Sequence, residues 1–163
     1  MQKTAIDVFK HEMTEKYFNT VYRLALNQMK DTNLAEDVTQ DVFVKYINCD
    51  KEFESEEHVK AWLIRVTINM CKNIFNAAWY KKSAPLEEDI IYEEKEDMSD
   101  VYSAVQELPK KYKAVIHLFY YEDMSIASIA SCLGEKESTV KSQLKRAREI
   151  LKKTLKGGES VEF

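Results

Sequence analysis

The chain has 163 residues, with 24 Lys and Arg against 28 Asp and Glu, a formal charge of −4. That length suits one ordinary domain or two small ones. No apolar run reaches the roughly 18 residues a spanning helix needs, the first residues turn acidic at Asp7 before any apolar stretch, and 3 Gly with 2 Pro are too few to turn a many-stranded sheet. The expectation is an all-α, cytoplasmic protein without direct membrane insertion.

In chain order, a first helix is expected from about Ile6 to Met29, with Phe18, Val21, Tyr22 and Ala25 on one apolar stripe. Asp31-Thr32-Asn33 breaks it and offers a cap to a second helix, about Leu34 to Asn48. This second helix buries Leu34, Val38 and Val42 and turns Glu36, Asp37, Gln40 and Asp41 outward. A third, about Glu56 to Tyr80, buries Val59, Trp62, Leu63, Val66 and Met70. Its other side carries Arg65, Asn69, Lys72, Asn73 and Asn76, whose spacing of 0, 4, 7, 8 and 11 is that of one helical face. All five donate hydrogen bonds and none is an acid. From His58 to Leu86 the sequence holds no Asp or Glu, after an acid-rich stretch at 50–57. That boundary reads as a helix meeting a polyanion through an acidic loop.

Residues 83–107 carry one basic and nine acidic side chains. This is the least periodic stretch, and its composition cannot bury much apolar area. It divides the chain into a helical domain at 1–82, an acidic flexible linker at 83–99 and a second helical domain at 100–156, with a disordered tail at 157–163. In the second domain, Asp100–Leu108 and Pro109–Tyr121 read as two helices, with Pro109 in the first turn of the latter. Ser125 then caps a short helix that Gly134 stops, and a longer helix runs from Ser138 to Leu155. That succession is the sequence form of a helix-turn-helix. The long helix buries Val140, Leu144, Ala147 and Leu151, and beside them stand Lys141, Lys145, Arg148 and Lys152. From Ser138 to Lys156 there are seven basic residues and one acid.

Other chemistry is not indicated. Cys49, Cys71 and Cys132 are far apart, and His11, His58 and His117 lack a second ligand at helical spacing, so no metal is expected. No activated nucleophile, paired carboxylate or Gly-rich phosphate loop stands out. The chain is therefore read as a non-enzyme with no cofactor and no small-molecule substrate.

Three stretches carry a family resemblance. Residues 34–43 (LAEDVTQDVF) are similar to an A-E-D-x-x-Q-x-x-F signature, residues 61–69 (AWLIRVTIN) to W-L-x-x-I-A-x-N, and residues 138–148 (STVKSQLKRAR) to G-T-V-K-S-R-L-x-R-A-R. These signatures, in this order, resemble the sigma-70 family of bacterial RNA polymerase initiation factors, and more narrowly its extracytoplasmic-function (ECF) group. The resemblance implies an initiation subunit with two helical domains, sigma regions 2 and 4. It assigns Asp37, Gln40 and Asp41 to core polymerase. It gives Arg65, Asn69, Lys72, Asn73 and Asn76 to the −10 promoter element, with the loop from Asn48 to Glu57 as pocket for an unstacked base. It gives Lys141, Ser142, Lys145 and Arg146 to bases or phosphates of the −35 element, with Arg148 and Lys152 on its backbone. It threads the acidic linker through a polymerase channel, and it implies a sequestering anti-sigma factor as a further partner. Departures from the family pattern include Lys136 where a Ser cap is usual, Ser138 for Gly, Gln143 for Arg and Phe119 where some relatives have a basic phosphate contact. The alternative is a dimeric helix-turn-helix transcriptional regulator that never touches polymerase.

Overall fold

The computed structural model describes residues 5–81 and 100–155, apart from the side chains of 79–81. The linker expected at 83–99 and the tail expected at 157–163 lie outside the described residues. The chain divides into two compact units, residues 1–91 and 92–163. Among the described residues there is no strand, and no helix is long and apolar enough to cross a membrane.

The first unit is a bundle of α1 (Ala5–Met29), α2 (Thr32–Ile47) and α3 (Glu56–Lys81). With no glycine available, Lys30 itself takes the left-handed conformation that ends α1, at φ 56°, and its N–H reaches the carbonyl of Leu26 at 2.8 Å. Asp31 follows in extended backbone and caps α2: its carboxylate accepts from the N–H groups of Asn33 (2.8 Å) and Leu34 (3.0 Å). The two turns together send α2 back against α1.

Val21, Leu24 and Ala25 of α1, Ala35, Val38, Val42 and Tyr46 of α2, and Val59 and Leu63 of α3 form the buried centre. Phe18, expected on the buried stripe, is instead 42% exposed and covers the rim of the core by stacking on Phe43, 5.6 Å between ring centres. The most buried line of α3 is Val59, Leu63, Thr67 and Cys71. Trp62, Val66 and Met70 flank that line half-buried, packed against the same core. Thr67 can occupy the centre because its hydroxyl donates to the carbonyl of Leu63 at 2.7 Å, so no polar group is left unpaired there.

The second unit comprises α4 (Asp100–Gln106), α5 (Lys110–Ile116), a π-helical turn (His117–Tyr121), α6 (Ile126–Leu133) and α7 (Glu137–Leu155). Pro109 stands one place earlier than expected, at the N-cap of α5 with φ −56° and ψ 146°. The stretch read as one helix to Tyr121 widens at His117 into the π turn, whose last N–H, that of Glu122, bonds to the His117 carbonyl at 3.1 Å. Val105, Leu108, Val115, Leu118, Ile129, Val140, Leu144, Ala147 and Leu151 make this unit's core. Most of the stability of these helices comes from packing into such cores.

Candidate nucleic-acid interface

In the first unit, the outer side of α2 presents Asp37, Gln40 and Asp41, all exposed. Val44 (59% exposed) and Ile47 (53%) continue that side toward the C-terminus. The sequence pattern did not single them out, because an apolar residue on a helix is read as core by default. On α3, Arg65, Asn69, Lys72, Asn73 and Asn76 are all exposed on the side away from Val59, Leu63, Thr67 and Cys71. The helix therefore offers solvent a continuous row of amide and cationic donors over roughly three turns.

The loop between α2 and α3 closes over an aromatic cluster. Phe53 meets Trp62 edge-on at 5.7 Å and Tyr46 at 5.9 Å, and Trp62 lies 5.9 Å from Tyr46. Trp62 thus serves the core, as expected from its stripe. Ser55 starts α3, its hydroxyl accepting from His58 N–H at 3.2 Å. Glu56, in the first turn, takes the hydroxyl of Tyr17 at 2.7 Å and an ion pair with Lys16. Those two bonds, Lys16 foremost, hold the Glu56 carboxyl below its ordinary range. Burial, and then the bond to Glu56, push the Tyr17 hydroxyl well above its usual range. Burial likewise raises Tyr46.

In the second unit, α6 and α7 form the helix-turn-helix. Ser125 caps α6 through a 3.0 Å bond from Ser128 N–H, and Gly134 stops it at φ 70°, a conformation glycine adopts without a Cβ clash. The first bonds of α7 run from Thr139 and Val140 N–H to the carbonyl of Lys136, whose side chain has no acceptor to cap with. One side of α7, Val140, Leu144, Ala147 and Leu151, is at most 1% exposed. Lys141, Ser142, Lys145, Arg146 and Lys152 are exposed. Ser142, Lys145 and Arg146 come together around a shallow polar groove completed by Tyr112, Glu149 and Ile150.

Arg148 is placed differently. It is half-buried, its Nε donates to the Tyr120 hydroxyl at 3.0 Å, and its guanidinium sits 5.7 Å from the Phe119 and Tyr120 ring centres. This seat, made by the π turn, links positions 28 apart and left no periodic signal. His117 is also buried, 3.3 Å from the buried Glu122 carboxylate.

Residues 13–80 match the family described as Sigma-70 region 2, and residues 98–151 the one described as Sigma-70, region 4. The ECF RNA polymerase sigma factor SigM of Bacillus subtilis (strain 168) is 30% identical over 156 residues, covering 86% of this chain and 91% of that protein. RNA polymerase sigma factor SigV of the same organism is 28% identical over 137 residues, covering 80% and 81%. Among solved structures, the chain is similar to the sigma factor RpoE of Bartonella quintana, crystallised with the anti-sigma factor NepR. That likeness has a TM-score of 0.73 at 23% identity and covers 93% of this chain and 98% of that one. At such identity it is a likeness of fold.

Proposed function

The chain belongs to the sigma-70 family of RNA polymerase sigma factors, in its ECF group, and we propose how its faces divide the work of a dissociable initiation subunit acting in the cytoplasm. The observation that carries the reading is a single chain with two donor-rich exposed helix faces, one on α3 and one on α7, in separate units. Asp37, Gln40 and Asp41 dock the first unit on bacterial core polymerase. Lys141, Ser142, Lys145 and Arg146 read the −35 element as duplex, with α7 in the major groove and Arg148 and Lys152 on phosphates. Arg65, Asn69, Lys72, Asn73 and Asn76 take the −10 element. Their cations hold phosphates, while their amides satisfy base edges that have lost their pairing partners.

The residues 83–99 join these two weak contacts, so that once one forms the other is nearly intramolecular. Their acidic run suits a polymerase channel that later receives RNA. Opening follows from capture of unpaired bases, which offsets unstacking of a few kcal/mol per base. The protein contributes no catalytic group of its own, and an anti-sigma factor is its regulatory partner. A dimeric regulator that bypasses polymerase is not favoured, because it leaves the region 2 match over residues 13–80 without a role.

Run-off transcription with purified core polymerase tests the reading. A promoter-specific product should require this chain, and the chain should co-elute with core. Arg65→Ala with Asn69→Ala should abolish permanganate reactivity at the −10 element while leaving −35 duplex binding in place. Normal opening in that variant would remove α3 from the mechanism.

A further inference from the structure

The loop 48–55 is held from outside by α1, at both ends. At its start, the Lys10 ammonium donates to the carbonyls of Ile47 (3.1 Å) and Cys49 (2.7 Å). The first ends the last turn of α2 and the second lies two residues past it, at a helix end whose carbonyls lack intrahelical partners and where a cation meets the negative end of the dipole. The same ammonium lies 5.5 Å from the Tyr46 ring centre, on the aromatic cluster that also seats Phe53. At the loop's far end, Tyr17 and Lys16 grip Glu56 as α3 begins.

Lys10 and Tyr17 are seven residues apart on α1, two turns along one face, or about 10 Å. Between the fixed points at 47–49, at Phe53 and at 55–56, the side chains of Asp50, Lys51, Glu52 and Glu54 are exposed. The loop is therefore stretched over three anchors, with its crest side chains turned to solvent. Lys10 lies on α1 just before the residues that match region 2, which begin at 13.

We propose that Lys10, together with the Lys16/Tyr17–Glu56 clamp, positions the 48–55 loop for base selection at the −10 element. These are positioning residues: they touch no DNA, and act by fixing beforehand the backbone of the loop that receives an unstacked base. A loop already in its bound shape spends less of its binding free energy on ordering, and discriminates more sharply between bases. The inference rests on the proposed function, extended by the role the family resemblance implies for the loop from Asn48 to Glu57 as a pocket for an unstacked −10 base.

Two measurements test it together. The first is hydrogen–deuterium exchange on the purified full chain. Lys10→Met, which keeps the stem and removes the donor, and Tyr17→Phe, which removes one hydroxyl, should each speed exchange at 49–54 and leave α7 unchanged. Lys10→Arg should restore protection. The second is run-off transcription with core polymerase on promoter fragments carrying each base in turn across the −10 element. Lys10→Met should compress the ratio between best and worst base on the order of tenfold, within the roughly hundredfold that a misplacement of about 1 Å can cost. Binding to −35 duplex should stay at the wild-type level. Unchanged exchange in both Lys10→Met and Tyr17→Phe overturns the brace, whatever transcription shows. Faster exchange with an unchanged base ratio, or with equal loss on every promoter, overturns its role in selection. A wild-type chain that directs no transcription sinks the proposed function, while exchange still decides the brace.

Discussion

Arg148 of α7 and Tyr120 of the π turn are joined by a 3.0 Å hydrogen bond from the guanidinium Nε to the hydroxyl. The bond uses one of five guanidinium donors and leaves both Nη groups to serve elsewhere. Phe119 and Tyr120 meet edge to face at 4.9 Å, so the cation rests on a preformed aromatic corner. That corner exists because the π turn admits an extra residue between α5 and the helix-turn-helix. Phe119 thereby helps to seat a basic residue of α7.

If Arg148 faces a phosphate from this seat, Tyr120→Phe should weaken −35 duplex binding about fivefold, the equivalent of about 1 kcal/mol for a half-exposed charged hydrogen bond. The dependence of affinity on salt should not change. Arg148→Ala should lower the slope of log K against log salt by about 0.9, as expected for loss of one phosphate contact. Fluorescence anisotropy across a series of KCl concentrations reads both. An unchanged slope in Arg148→Ala would mean that Arg148 only fastens α7 to the π turn.

The junction of α1 and α2 can be tested by stability alone. Asp31→Ala removes an acceptor serving two N–H groups and should cost about 1 kcal/mol, a drop of several degrees in the thermal midpoint for a unit of this size. Asp31→Asn should retain most of it. Next to it, Lys30→Gly should raise the midpoint, since glycine takes φ 56° without the roughly 1 kcal/mol that an L side chain incurs there. Scanning calorimetry of the single variants separates the two effects.

The helices, the Asp31 cap, the Gly134 stop and both donor faces were legible in the sequence because each is a local pattern. Periodicity marks a face, and caps are single residues at fixed offsets. What escaped depended on partners distant in sequence. Thr67 and Cys71 sit at the centre of α3 while Trp62 and Met70 flank it, because a hydroxyl bonded to its own helix is as easily buried as a larger apolar group. The π turn has no composition signal. Lys10 reads as an ordinary surface lysine until its carbonyl partners, 37 and 39 residues away, are seen.

Tyr46 is fully buried, and its hydroxyl has no hydrogen-bond partner among the described residues. Its ring contacts with Phe53 and Trp62, and with the Lys10 ammonium, do not involve the oxygen. Tyr46→Phe keeps all of them and removes a buried polar atom, so it should be stabilising by about 1 kcal/mol. Tyr46→Ala should instead cost about 3–5 kcal/mol through the cavity it leaves. Urea titrations give both values, and a destabilised Tyr46→Phe would show that the hydroxyl has a partner.

Acid and alkali should act on opposite members of the Glu56 clamp. Hydrogen bonds from Lys16 and Tyr17 lower the Glu56 pKa on folding. Its contribution is therefore complete above the ordinary carboxylate value and is lost as the pH falls through the lower folded one. Tyr17 moves the other way, above its ordinary value of 10.0, by burial and by its bond to Glu56. Its contribution is complete below that value and fades as the pH rises toward the folded one. Glu56→Gln should then melt below the wild type at pH 7 and converge with it as the pH falls below about 4. Tyr17→Phe should converge with the wild type only above about pH 10. Thermal melts followed by circular dichroism at stepped pH read both limbs. A constant gap between wild type and Glu56→Gln from pH 7 to pH 3 would mean that the carboxylate is not held by the clamp.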